Sequence, residues 1–199
     1  MRNTFAVLAI ASAALLAGCG DDDDNNMPDA GTGGYMPTGT GPGTALRCKS
    51  SNKNAWDTFG ANAFVAVNKS IIEKTLAELK GISGTKNLGE SFTHIGDASK
   101  GPAYADDAAT FEGKLAAFLV YAYGGPESIQ YTDGKTYAGP QNMAAAHLGM
   151  AITSSQYDYF IANMVVPALT DNGVTADDVS SCFAPIVTDA AFKASIVGK

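Results

Sequence analysis

Met143-Ala144-Ala145-Ala146-His147-Leu148-Gly149-Met150-Ala151-Ile152-Thr153 is the stretch on which the reading of this chain turns. It carries one of only two histidines in 199 residues. The three alanines before His147 leave room for a flat group close to the backbone. Gly149 ends the short helical turn, and Thr153 opens a new helix. No acidic residue sits beside His147 in sequence. A neutral imidazole on a short helix suits a metal or haem-iron ligand. The same stretch also fits a buried, hydrogen-bonded core histidine, and it does not separate the two on its own.

On both sides the pattern is helical. Asn62 to Leu79 carries a stripe of period 3.6 at Phe64, Val67, Ile71, Ile72, Thr75, Leu76 and Leu79. Gly81 to Gly89 breaks it, and Gly101-Pro102 marks a further loop. Asp106-Asp107 puts negative charge at the positive end of the next helix. That helix runs to about Tyr123, with Phe111, Leu115, Phe118, Leu119 and Ala122 on one face, and Gly124-Gly125-Pro126 stops it. A polar loop with Asp133-Gly134 and Gly139-Pro140 leads to the histidine turn. Thr153-Ser154-Ser155-Gln156 has capping-box form. Tyr157, Phe160, Ile161 and Met164 form the apolar face behind it, and Pro167 predicts a kink. Asn172-Gly173 ends that helix. Thr175-Ala176-Asp177-Asp178 starts the last one, with Val179, Cys182, Phe183, Ile186 and Val187 inward. No alternating strand stands out, so the expected class is all-α.

The N-terminus reads as a targeting segment. Arg2 precedes an apolar run from Phe5 to Leu16, too short for a mature span of ~20 residues. Leu16-Ala17-Gly18-Cys19 resembles a bacterial lipobox, in which cleavage before the cysteine leaves it to carry lipid. Residues 1–18 are then a lipoprotein signal peptide, and lipid on Cys19 anchors the chain to a membrane without spanning it. Gly20, rather than an aspartate, follows Cys19, which favours the outer membrane. Residues 19–45 hold Asp21 to Asp24 and a Gly/Thr/Pro-rich run, and read as an acidic, disordered tether. The folded domain is residues 46–199. Outside the cytoplasm Cys48 and Cys182 are expected to pair, stapling the start of the domain to its last helix. The net charge of -7 offers no basic surface to phosphates, which excludes a nucleic-acid partner.

The order of parts resembles a truncated haemoglobin, most nearly of group I. Phe118, Gly124-Gly125-Pro126, Met143, His147 and Ile152-Thr153 carry the resemblance, strongest from about Phe111 onward. It implies a globin-like, truncated two-over-two helical sandwich holding haem b, with His147 as proximal iron ligand. It implies haem packing by Phe118 and Phe92, a propionate contact by Lys114, and a pocket wall at Met164. On the distal side Ile72 takes the position of a tyrosine common in the family, and Leu115 that of a frequent glutamine. Phe111 and Leu119 share its face, so the distal pocket is expected to be apolar. His94, in the long insertion before the pocket helix, is a candidate second axial ligand; an exposed loop histidine is the other reading.

The expected function is binding of a diatomic gas (O2, NO or CO) at the iron by a lipid-anchored, extracytoplasmic protein. No flavin or reductase motif is present, so turnover requires an external electron donor. Two alternatives stand beside it. One is a haem enzyme of peroxidase-like or NO-detoxifying type, for which His94 is the only distal acid or base candidate. The other is a haemless structural lipoprotein that keeps the fold.

Overall fold

The computed structural model describes residues 41–81 and 84–199. The signal peptide, Cys19 and most of the tether lie outside the described residues.

The longest element, α1 (Ala55–Lys80), is capped by Asn54, whose Oδ1 accepts from the Asp57 amide at 2.7 Å. It begins seven residues before the apolar stripe does. The reason is Gly60, whose φ of 73° bends the chain and lets a first turn carrying Trp56 and Phe59 join the stripe. After α2 (Gly84–Leu88), three 3-10 turns occupy Glu90–Thr93, Ala98–Lys100 and Pro102–Tyr104. Asp107 then caps α3 (Ala108–Ala122), its Oδ1 accepting from the Thr110 amide at 2.7 Å. α1 and α3 pack on each other at the centre of the fold.

The described chain is mostly helical, in line with the all-α expectation; one short hairpin, which that expectation did not include, follows α3. β1 (Ser128–Gln130) pairs antiparallel with β2 (Thr136–Ala138), in the register Ile129 opposite Tyr137. Each strand has three residues, too few to show alternation in sequence. The Asp133-Gly134 turn, with Gly134 at φ 80°, was the available signal. Tyr137 is buried and lies so close to Gly113 that a Cβ there would come within 2.2 Å of its ring.

α4 (Met143–Ala146) carries the histidine turn and is capped by Asn142. α5 (Ser154–Phe160) opens with a closed capping box. The Thr153 amide donates to Gln156 Oε1 at 2.7 Å, and the Gln156 amide donates to Thr153 Oγ1 at 3.3 Å. The chain then passes through a π turn (Ile161–Val165) into α6 (Val166–Asp171). A second π turn (Val179–Phe183) joins α7 (Ala176–Asp178) to α8 (Ala184–Val187). Pro167 and Pro185 each follow a π turn by two residues. A helical proline has no N–H and crowds the carbonyl four residues back, and the wider turn before it makes room for the ring. α9 (Ala190–Ala194) is a separate short helix, capped by Asp189.

Cys48 and Cys182 are joined by a disulfide. Beside it, the buried Asp178 carboxylate accepts from the Ser50 amide at 2.9 Å and the Thr175 hydroxyl at 3.0 Å. Residues 41–45, grouped with the tether on composition, pack against the end of α3: a Cβ on Gly43 would meet the Ala122 carbonyl at 2.5 Å. Among the described residues no helix is long and apolar enough to cross a membrane.

Candidate functional site

Between α1, α3, α4 and α5 lies an apolar cavity of about 900 Å³, at the upper end of the ~300–1,000 Å³ typical of ligand pockets. α1 contributes Val67, Ile71 and Ile72, and α3 contributes Phe111, Leu115, Phe118 and Leu119. The 90–106 segment adds Phe92, Ile95 and Asp106. Phe192 and Ile196 line it from the C-terminal end of the chain, and Phe192 stacks on Phe118 with centroids 6.0 Å apart and planes 4° apart.

His147 lines this cavity from the end of α4. Its Nδ1 lies 2.8 Å from the Met143 carbonyl. A carbonyl only accepts, so Nδ1 carries the proton and donates, and Nε2 keeps its lone pair. Burial lowers the imidazole pKa below its ordinary value, and the bond to Met143 offsets this only in part. The ring is therefore neutral at pH 7, as ligation requires. The chain after His147 is held from the far end of the sequence. The Ala151 amide donates to the Lys199 carbonyl at 2.8 Å, and the Gly198 amide to that of Ile152 at 2.9 Å. This pairing keeps Ala151 at φ 51°, unusual for a residue with a Cβ.

Polar groups in the wall are mostly engaged. The Tyr123 hydroxyl donates to the Phe183 carbonyl at 3.2 Å, and that of Tyr157 to the Val187 carbonyl at 2.7 Å. Burial pushes both phenols well above their ordinary pKa, so they stay neutral. The Thr75 hydroxyl donates to the Ile71 carbonyl at 2.8 Å. Lys114 Nζ lies 2.8 and 2.7 Å from the two oxygens of Asp106.

His147, Phe118, Phe111, Leu115, Leu119, Phe92, Ile72 and Lys114 thus share one cavity. Two expected members do not. Met164 is buried but outside the cavity wall, where Ile161 and Val165 stand instead. The π turn inserts one residue into the helical repeat, about 100° of rotation, and passes the inward place from Met164 to Val165. His94 is also outside the wall. It follows the 3-10 turn Glu90–Thr93 as its C-terminal cap residue, and its neighbours Phe92, Thr93 and Ile95 line the cavity while His94 does not. Its half-buried ring meets Tyr104 edge-on at 5.6 Å, so it is not placed as a second ligand.

Sequence reasoning missed Tyr123, Tyr157 and Phe192 as wall residues. Tyr123 read only as the end of its helix, Tyr157 as an ordinary apolar-face position, and Phe192 lies beyond the last predicted face. Cys48, Cys182 and Asp178 lie within metal-binding distance of one another. With both sulfurs in a disulfide, no thiolate is left to ligate, and the carboxylate is a loop clamp. Compared with known proteins, the chain matches no family model and no curated protein.

Proposed function

We propose that this protein is a haem-binding globin of the truncated type, anchored outside the cytoplasm, that takes a diatomic gas at the iron. The observation that carries this reading is His147: a neutral imidazole, its tautomer set by the Met143 carbonyl, with a free Nε2 lone pair on the wall of a large apolar cavity. A hydrogen bond to the second ring nitrogen is how proteins orient iron- and zinc-ligating histidines.

The remaining residues fit a flat apolar ligand bearing carboxylates. Phe118, Phe111, Leu115, Leu119 and Ile72 would exclude water from its faces. Lys114 would meet a carboxylate at the edge. Haem would supply an iron able to bind a diatomic gas, and His147 would ligate that iron through Nε2. The hydroxyls of Tyr123, Tyr157 and Thr75 donate to backbone carbonyls, and Ile72, Phe111, Leu115 and Leu119 have no donor to offer that gas. A ligand that gains partial negative charge here would forgo a hydrogen bond worth about 0.5–1.5 kcal/mol, or up to ~3 given that charge. The site therefore suits carbon monoxide or nitric oxide better than oxygen storage. Peroxidase-like chemistry has less support, because His94 turns to Tyr104 instead of the cavity.

The test is a haem titration of the purified chain beside His147→Ala, followed by absorption. A sharp Soret band saturating at one haem per chain, and lost or blue-shifted in the variant with unchanged apo-protein circular dichroism, supports the reading. Equal and loose uptake by both proteins refutes it.

A further inference from the structure

Lys114 does not wait empty-handed at the edge of the cavity. Asp106 grips its Nζ with both carboxylate oxygens, at 2.8 and 2.7 Å. Both residues line the cavity, yet their side chains remain 47% and 34% exposed, so the pair sits where the cavity meets solvent. Asp106 is not the cap of α3. The helix that follows is capped by its neighbour Asp107, and among the described residues the Asp106 carboxylate makes no other hydrogen bond or ion pair. A carboxylate holding the cation at the rim of an apolar ligand pocket occupies the place that a ligand's own carboxylate would take.

We propose that Asp106 is a resident stand-in for the ligand carboxylate, and that a ligand with an apolar body and an acidic head enters by carboxylate-for-carboxylate exchange on Lys114. With haem, on which this inference rests, the incoming group is a propionate. Exposed ion pairs are weak, so the resident is readily displaced. Asp106 thus acts as a filter. A neutral apolar molecule gains nothing at Lys114 and leaves the ion pair closed, whereas an acid recovers it. Lys80, at the end of α1, also lines the cavity and is available to a second carboxylate.

The experiment titrates wild type, Asp106→Asn, Lys114→Gln and the double variant with haem and with its dimethyl ester, whose carboxylates are blocked. Binding is read from the Soret band and from quenching of Trp56, the single tryptophan. Asp106→Asn is expected to tighten haem about three-fold, on the scale of a surface ion pair, and to leave the ester unchanged. Lys114→Gln weakens haem but not the ester, and in its background Asp106→Asn has no effect. A gain that appears equally with the ester, or persists without Lys114, reflects only the removal of a negative charge and overturns the exchange. Tight haem uptake with no effect of Asp106→Asn overturns the exchange alone. No haem uptake by wild type overturns the haem reading and the exchange together.

Discussion

Two side chains show what a single residue contributes here. Asp178 is 1% exposed and carries a negative charge. Burial works against that charge, but bonds from Ser50 and Thr175 outweigh it, and the carboxyl titrates below its ordinary range. A depressed carboxyl pKa contributes stability above the unfolded value of about 3.9, and that contribution is lost as pH falls through the native value. Asp178→Asn should therefore lower stability at neutral pH by about 1.5–3 kcal/mol. The gap to wild type should stay flat from pH 8 to 5 and narrow below about 4, as read from urea unfolding at each pH. Leu115 stands for the apolar half of the cavity. On the haem reading, Leu115→Gln adds a donor, and oxygen dissociation should slow about ten-fold or more, the factor equivalent to ~1.4 kcal/mol. Carbon monoxide dissociation should change far less. Flash photolysis with both gases measures the contrast.

At the scale of elements, the fold depends on close approaches that small residues permit. The hairpin docks on α3 because Gly113 leaves space for the Tyr137 ring. Gly113→Ala gains about 1 kcal/mol of helix propensity. It also drives a Cβ to 2.2 Å from a ring that is buried and held by its hydroxyl, which donates to Asp133 at 2.7 Å. Overpacking of about 1–3 kcal/mol wins, so the variant should be less stable than wild type by thermal unfolding. The loss should disappear when Tyr137 is also cut to alanine, compared with Tyr137→Ala alone. On this face Asn68 Nδ2 donates to the Tyr131 hydroxyl at 3.2 Å, and Tyr131 donates to Glu112 at 2.6 Å. The chain of bonds ties α1, α3 and the hairpin together around a buried amide whose Oδ1 has no partner. The two π turns serve a different end. Each absorbs a proline without breaking the helix, and the first decides which side chain of α5–α6 faces the cavity.

For the molecule as a whole, the disulfide closes a loop with a sequence separation of 134. In the chain-entropy model such a cross-link stabilises by about 5 kcal/mol, comparable with the total stability of a small domain. Cys48→Ser with Cys182→Ser should lower the urea midpoint steeply, and wild type in reductant should fall to the same value. If reduction leaves the midpoint unmoved, the link does not bear on folding. Haem would add to this by mass action, raising the thermal midpoint with haem concentration in wild type and not in His147→Ala.

Much of this was legible in one dimension, because it depends on near neighbours in the chain. The caps at Asp107 and Thr153, the stop at Gly124-Gly125-Pro126, the apolar faces of α1 and α3, and the isolation of His147 all follow from residues within a few positions of each other. Local periodicity sufficed to put Ile72, Phe111, Leu115 and Phe118 toward one interior. What only the tertiary structure decided depends on distance across the fold or on one residue of phase. A three-residue strand has no periodicity to read, and its pairing is non-local. Met164 lost its inward place to a single inserted residue. His94, the residue after a 3-10 turn, packs edge-on against Tyr104 and not into the cavity, a contact ten residues away in sequence. Asp106, legible as a helix start, meets Lys114 only because its neighbour Asp107 takes the cap. Residue chemistry and short-range repeat belong to the sequence; which face wins, and which charge meets which, is settled when distant segments compete for the same space.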